Sequence, residues 1–268
     1  MNKAIYPNRT KLFFSLNTLL RQLIRHEIEL FRISRTVSLM LLGGLSPNSV
    51  PEIICERVLK EQRPDGGWVG PDDSMWIVLF LKLIGMGNSN CCISGINYLK
   101  NNKQENCWGR SSRDIPRIPV TGRILFFLPE LNTKENLENL LFLWQKEKNS
   151  LTYKAAFTIM ACSKAQVPCS NDLIHSAATW LQNQQNDDGG FGPWKNHPAG
   201  SDIFCTSVAM LALAQNDSIP NVANTLSKAF TWMSKSQLPN GLWPYHQIED
   251  GASWAFFALD YINGLNLV

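Results

Sequence analysis

Segments with one apolar face alternate along this chain with segments that are apolar on nearly every side. Residues 53–61 and 173–182 carry hydrophobic side chains at intervals of three and four, as an amphipathic helix does. Residues 74–84 and 206–214, which follow them, are apolar almost throughout. Because a helix that is apolar on all sides must be buried, the alternation predicts an all-α protein with an outer and an inner layer of helices.

A short phrase recurs between the outer and inner members of these pairs: a glutamine, a polar turn with glycine, then an aromatic residue. Its four copies are Gln62 with Trp68, Gln104 with Trp108, Gln185 with Phe191, and Gln237 with Trp243. The gap between Trp108 and Phe191 spans about two repeats, which predicts a degenerate copy at Gln145. With residues 15–45 in front, the chain contains about six helical pairs, enough to close a ring that buries both terminal pairs.

Composition agrees with one large globular domain, which we expect to span residues 1–268. Hydrophobic residues make up 44% of the chain and charged residues 18%. A net charge of +3 is too small to indicate a nucleic-acid partner. The seven cysteines are odd in number and form no CxxC pair, which favours reduced thiols in a cytoplasmic protein.

No apolar segment reaches the roughly 18 residues that a membrane-spanning helix needs. Four arginines recur at nearly helical spacing near the start of the chain. They are Arg21, Arg25, Arg32 and Arg35. They form either a solvated helix face or a peripheral contact with an anionic membrane surface.

The four phrases resemble the QW motifs of the terpene cyclase and protein prenyltransferase β-subunit superfamily, which includes squalene-hopene cyclases. The resemblance runs from about residue 50 to the end of the chain. It implies an α/α toroid in which the glutamines tie successive hairpins together. It also implies an apolar central cavity that holds a small-molecule isoprenoid substrate. The length of the chain matches one such toroid.

Class II cyclases of this superfamily place a DxDD motif at the rim of the cavity, and the segment from Gly70 to Met75 resembles it with glycine replacing the first aspartate. By that match Asp72 falls on the proton donor and Asp73 on its neighbour. Two adjacent carboxyls at an apolar wall cannot both ionise cheaply, so one can keep its proton. The alternative is that both merely favour the first turn of a helix.

Asp202 and Cys205 begin another inner helix and resemble the Asp and Cys zinc ligands of protein prenyltransferases. Their spacing is DxxC rather than DxC, and Asp250 replaces the expected histidine, with His246 nearby. We therefore expect no metal and no cofactor. Asp202 either assists the acid at Asp72 or caps its own helix.

Aromatic faces stabilise a carbocation in a dry site, and several aromatic residues fall on predicted inner helices. Those expected to contact substrate are Trp76, Phe80, Trp254 and Phe257, together with Cys205, His246 and Asp250, and Phe256 is a further aromatic candidate. Arg113, Arg117 and Arg123 pair with the acids, hold a diphosphate, or lie exposed in a loop.

These observations predict a small class II terpene or meroterpenoid cyclase. Two alternatives remain: a toroid that binds an isoprenoid or acts as a scaffold without catalysis, and a metal-dependent prenyl transferase or lyase. Acids that face an apolar cavity of several hundred cubic ångströms would favour the cyclase. Acids in solvent around a solidly packed ring would favour the binding protein or scaffold.

Overall fold

The computed structural model describes residues 7–168, 171–216 and 219–265. These residues form α-helices and two 3-10 turns, and contain no β-strand. The helices are α1 (Arg9–Arg25), α2 (Leu30–Leu42), α3 (Glu52–Glu61), α4 (Pro71–Leu83), α5 (Asn90–Asn101), α6 (Ile118–Phe127), α7 (Lys134–Glu147), α8 (Thr152–Lys164), α9 (Asp172–Asn183), α10 (Ile203–Leu213), α11 (Val222–Ser236) and α12 (Ile248–Gly264). None of the described helices is long and apolar enough to cross a membrane.

The even-numbered helices form a closed inner ring. Each of them contacts the next in the order α2, α4, α6, α8, α10 and α12, and α12 returns to contact α2. The odd-numbered helices pack around the outside, each against one or two of the inner ones. The predicted all-α toroid of six helical hairpins is thereby confirmed.

The hydrophobic pattern explains which helices lie inside. On outer helix α9 only a stripe of small and aliphatic residues is buried, made of Ile174, Ala177, Ala178 and Leu181. Inner helix α10 is buried on nearly every side. Both inner helices that we predicted from apolar runs begin three residues earlier than expected, α4 at Pro71 and α10 at Ile203.

Local chemistry accounts for these earlier starts. Proline is well suited to the first turn of a helix, where its missing N–H costs no hydrogen bond. The Asp202 carboxylate accepts a hydrogen bond from the Cys205 backbone N–H at 2.7 Å and so caps α10. Asp72 and Asp73 interrupt the apolar pattern at the start of α4, so hydrophobic periodicity alone does not detect that start. The three added residues of α10 are apolar, and its start is marked by the cap at Asp202.

Three of the four recurring glutamines bridge successive hairpins. The Gln62 side-chain amide donates to the carbonyl of Gly66 in its own turn at 2.8 Å and to that of Cys91 in the next outer helix at 2.9 Å. Two other glutamines repeat this pair of bonds, Gln185 to Gly189 and Thr225, and Gln237 to Gly241 and Asn8. Because Asn8 caps α1, the last of these bridges joins the final hairpin to the first.

The fourth hairpin departs from the pattern. Gln145, where we expected a degenerate copy, lies inside the last turn of α7, and α8 follows from Thr152. The Thr152 hydroxyl instead donates to the carbonyl of Gly192 at 2.7 Å, in the loop that precedes α10. A direct contact between the start of α8 and the loop before α10 therefore joins the fourth hairpin to the fifth.

Candidate functional site

A cavity of about 790 Å³ opens at the end of the ring where the inner helices begin. All six inner helices contribute to its wall from their N-terminal halves, together with the loops that lead into them. Its volume lies within the range typical of small-molecule sites. The charged residues of the wall are Arg35, Asp72, Asp73, Arg110, Arg117, Arg123, Glu147, Lys154 and Asp250.

Asp72 is held by a single arginine. One guanidinium nitrogen of Arg123, on α6, donates to both carboxylate oxygens of Asp72, at 2.7 and 2.9 Å. The two side chains are 14% and 22% exposed. The same guanidinium lies over the ring of Phe157, 5.4 Å from its centroid. A close, largely buried cation favours the ionised form of a carboxyl.

Asp73 has different surroundings from its neighbour. It forms no ion pair with any residue that the structure describes. Burial, reinforced by the negative charge of Asp72, raises the pKa of Asp73 to about 6. Side by side on the first turn of α4, one acid is therefore bonded to an arginine and the other has a raised pKa.

A second acidic group lies across the ring at the start of α12. Asp250 lines the cavity and is 3.1 Å from the Arg35 guanidinium, which belongs to α2. Burial raises the pKa of Asp250, and the charge of Arg35 opposes that effect. Gln247 accepts a hydrogen bond from Arg35 at 2.7 Å.

Asp202 and Cys205 lie beside the cavity rather than in its wall. Asp202 caps α10 as described above, and burial raises its pKa. Cys205 is almost wholly inaccessible. Among the described residues, no three His, Cys, Asp or Glu side chains are grouped as metal ligands would be.

Aromatic residues expected to contact substrate form the floor below the cavity. Trp254 stands near the centre of the ring, with ring centroids 5.9 Å from Trp76 and 6.4 Å from Phe257. Phe127 fills the same region, 5.3 Å from Trp76. Phe80 is fully buried outside the wall. The lower part of the ring is therefore packed with side chains, and the open space lies above it.

The structure brings only four of the predicted site residues into the cavity wall. They are Asp72, Asp73, His246 and Asp250. Phe256 packs on the outer side of α12, where its ring centroid is 6.0 Å from that of Phe13 and the Arg9 guanidinium lies over it. The side chains of these residues thus divide among wall, floor and outer layer.

The aromatic part of the wall was not predicted. Phe204, in the first turn of α10, has its ring centroid 6.1 Å from Tyr153, 6.3 Å from Phe157 and 6.0 Å from Tyr245. Phe31 completes the aromatic lining. The position of Phe31, Tyr153 and Phe204 in the first turn of an inner helix was a usable signal, because that turn faces the mouth of the ring.

Two of the arginines that we singled out have acidic partners. Arg123 pairs with Asp72, and Arg117 pairs with Asp114 at 2.6 Å. The hydrogen bond from Arg117 lowers the pKa of Asp114 to about 2. Arg110, which also lines the wall, forms no ion pair with a described residue, and Arg113 lies outside the wall.

The sequence matches no protein-family model and no curated protein. The fold is similar to that of the type II terpene cyclase MstE from Scytonema, at 15% identity over 89% of each chain, with a TM-score of 0.68. A variant of that enzyme in complex with its substrate, geranylgeranyl dihydroxybenzoate, aligns at 15% identity over 96% of this chain and 99% of that one, with a TM-score of 0.69. An ent-copalyl diphosphate synthase from Streptomyces platensis aligns at 14% identity over 87% of this chain and 50% of that one, with a TM-score of 0.61.

Proposed function

We propose that this protein is a class II terpene or meroterpenoid cyclase, which starts ring closure by protonating an isoprenoid chain. The observation that carries the proposal is the pair Asp72 and Asp73 in the wall of a cavity of about 790 Å³. Two adjacent carboxyls that cannot both ionise cheaply form a reservoir for one proton. The similarity of the fold to cyclases of this type adds support.

The cavity supplies what a carbocation requires after protonation. The rings of Tyr153, Phe157, Phe204 and Tyr245 form one wall, and their faces attract positive charge. Trp254 and Trp76 close the floor and limit how deeply a chain can enter. A short, aromatic-walled chamber therefore holds an isoprenoid in a folded form, with the reacting carbon near the acids.

The reaction needs no oxidant or reductant. A carboxyl O–H bond breaks as a C–H bond forms at one alkene carbon, which leaves a carbocation and a carboxylate. Neighbouring double bonds attack the cation in turn to form C–C bonds. A C–H bond then gives up a proton to a base, and the product is an isomer of the substrate.

As substrate we propose an isoprenoid of about geranylgeranyl length whose head group stays at the mouth. The volume of the cavity is suitable for such a chain. One of the solved structures with a similar fold carries geranylgeranyl dihydroxybenzoate. Arg110 is a cation at the wall available to an anionic or phenolic head group.

A second candidate is a toroid that binds an isoprenoid without transforming it. The observation that favours it is the ion pairing of the wall, where Arg123 neutralises Asp72 and Arg35 neutralises Asp250. A binding protein needs only a chamber with an aromatic wall, and in it the paired acids would serve to hold the ring together.

The two candidates separate in one assay. Purified protein is incubated with geranylgeranyl dihydroxybenzoate, geranylgeranyl diphosphate and farnesyl diphosphate, and products are identified by mass spectrometry. We expect cyclised product from the wild type and a loss of about 100-fold or more in a variant with Asp72→Asn and Asp73→Asn.

Asp260→Asn is the matched control, because Asp260 lies in the last two turns of α12 and pairs with Arg9 far from the mouth. It should retain full activity. Product formation that is undiminished in the double variant would contradict the proposal. Saturable binding of these substrates without any product would instead establish the binding protein.

A further inference from the structure

We infer that the reactive proton resides on Asp73, and that Arg123 is a positioning residue that keeps Asp72 ionised. The inference rests on the proposed cyclase function, because it states which of the same two acids carries the reactive proton. It differs from the assignment that the DxDD-like pattern suggests, in which Asp72 is the donor. The difference comes from the surroundings of the two side chains.

The first step of the argument is the contact between Arg123 and Asp72. Both oxygens of Asp72 accept from the same guanidinium nitrogen, at 2.7 and 2.9 Å, so the negative charge is met on both sides. Protonation of Asp72 would remove the charge that this cation faces. The arginine itself is held over Phe157 and is mostly buried. Asp72 is therefore the acid of the pair whose carboxylate is bonded to a cation.

The second step is what faces Asp73 from each neighbouring helix. From α2 comes Arg35, which is already engaged by Asp250 and Gln247. From α5 comes Tyr98, whose hydroxyl accepts from Arg63 at 3.3 Å. From its own helix comes the charge of Asp72. The Arg123 guanidinium on α6 is bonded to Asp72, and half-buried Asp73 forms no ion pair with a described residue. Hydrogen bonds from the backbone N–H groups of Asp73 and Gly70, and the charge of Arg35, lower the pKa of Asp73, but burial and Asp72 outweigh them.

The third step joins the two acids. A negative charge on Asp72 disfavours a second negative charge beside it, and it therefore raises the pKa of Asp73. Burial first, and the charge of Asp72 second, raise the pKa of Asp73 to about 6. In the reaction the Asp73 O–H bond breaks, its proton forms a C–H bond on the alkene, and Asp73 becomes the carboxylate. It is reprotonated from solvent at the open mouth.

The location of the proton can be tested without substrate. Protein labelled with ¹³C at the aspartate side-chain carboxyls is titrated by NMR from about pH 3 to about pH 8. The pKa values of Asp202 and Asp250 are also raised, so the Asp73 signal is assigned by substitution, and we expect it to titrate near pH 6 in the wild type. That signal should vanish in Asp73→Asn and should move to lower pH in Asp72→Asn, because the neighbouring charge is gone.

Substitution of Arg123 should shift the titration of the acid pair in the opposite direction to Asp72→Asn. In Arg123→Gln the loss of a nearby cation should raise the apparent pKa of the acid pair, whereas Arg123→Lys should restore much of the wild-type value. A purely structural role for Arg123 would move neither titration. A dispersed amide spectrum shows that each variant is folded, and Asp260→Asn serves as the control that leaves the titration unchanged.

The inference is overturned if the signal near pH 6 survives Asp73→Asn and disappears in Asp72→Asn. Should Asp73→Asn fail to fold, the direction of the shift in Arg123→Gln decides: a fall or no change contradicts the inference. The titration reports the proton even if no substrate is turned over. A cyclase whose proton sits on Asp72 would thus contradict the inference alone, whereas absence of product in the wild type would contradict the proposed function alone.

Discussion

Asp72 and Asp73 are neighbours with identical side chains, but they differ in chemistry because different residues surround them. Asp72 accepts from a guanidinium at 2.7 Å, whereas Asp73 forms no ion pair with any residue that the structure describes. The sequence places the pair at the start of an inner helix, but it does not indicate the partner. Arg123 follows Asp72 by 51 positions, and only the packing of α4 beside α6 brings them together.

The raised pKa of Asp73 predicts a pH-dependent effect on stability. A carboxyl that binds its proton more tightly in the folded state contributes most below its unfolded pKa, and that contribution is lost as the pH rises through about 6. Asp73→Asn should therefore stabilise the protein at about pH 7.5, by about 1–2 kcal/mol after allowance for partial exposure.

The gain should shrink towards zero near about pH 3, which lies below the ordinary aspartate value, so that Asp73 is mostly protonated in both states. Urea unfolding at the two pH values measures the difference, and Asp260→Asn should show no such dependence. A variant that is less stable than the wild type at both pH values would contradict the raised pKa.

At the scale of the element, the sequence pattern predicts where the repeated glutamines lie, but it does not predict which groups their side chains bond. Gln62, Gln185 and Gln237 each reach from their own turn to the next outer helix. Gln104 has the same place in the phrase, yet its amide donates to the carbonyl of Ser112 within its own loop at 2.6 Å. Spacing predicts the glutamine, but the loop that follows decides where its amide points.

This contrast predicts unequal costs for one substitution. Gln185→Ala removes two partly buried hydrogen bonds, one of which joins successive hairpins, and should lower the free energy of unfolding by about 1–2 kcal/mol. Gln104→Ala removes one exposed bond within a loop and should cost about 0.5 kcal/mol. Urea unfolding of both variants is the measurement, and an equal or larger cost for Gln104→Ala would refute the linking role.

At the scale of the whole molecule, side chains from both ends of the chain close the ring. Arg32 on α2 donates to Glu249 on α12 at 2.6 Å, and Arg9 on α1 pairs with Asp260 at the same distance. The repeat in the sequence predicted closure. The filling of the centre could not be foreseen, because periodicity marks Trp254 as buried without showing whether it faces the mouth or the floor.

Because Arg32 helps to close the ring, its loss should lower the free energy of unfolding more than the loss of an exposed cation does. Arg32→Ala leaves the Glu249 side chain, only 7% exposed, without its cation and should cost about 2–4 kcal/mol. Lys134→Ala, which breaks a pair that is 82% and 62% exposed, should cost less than about 0.5 kcal/mol.

Hydrogen exchange read by mass spectrometry shows where the weakness falls. The amides of α1, α2 and α12 should lose protection together in Arg32→Ala, and Arg32→Ala combined with Glu249→Gln should recover part of the loss. Hydrogen exchange that increases evenly in all six hairpins would contradict a role for Arg32 that is local to the contact between α2 and α12.

The return of α12 to α2 also bears on how the protein is made. While the ribosome is still adding residues 248–264, the apolar flank of α2 that α12 will cover has no partner, and the nascent chain remains an open arc. α2 is synthesised before α12 and must wait for it. The apolar flank of α2 that α12 covers is therefore open to other apolar surfaces during translation, and it is buried once α12 docks.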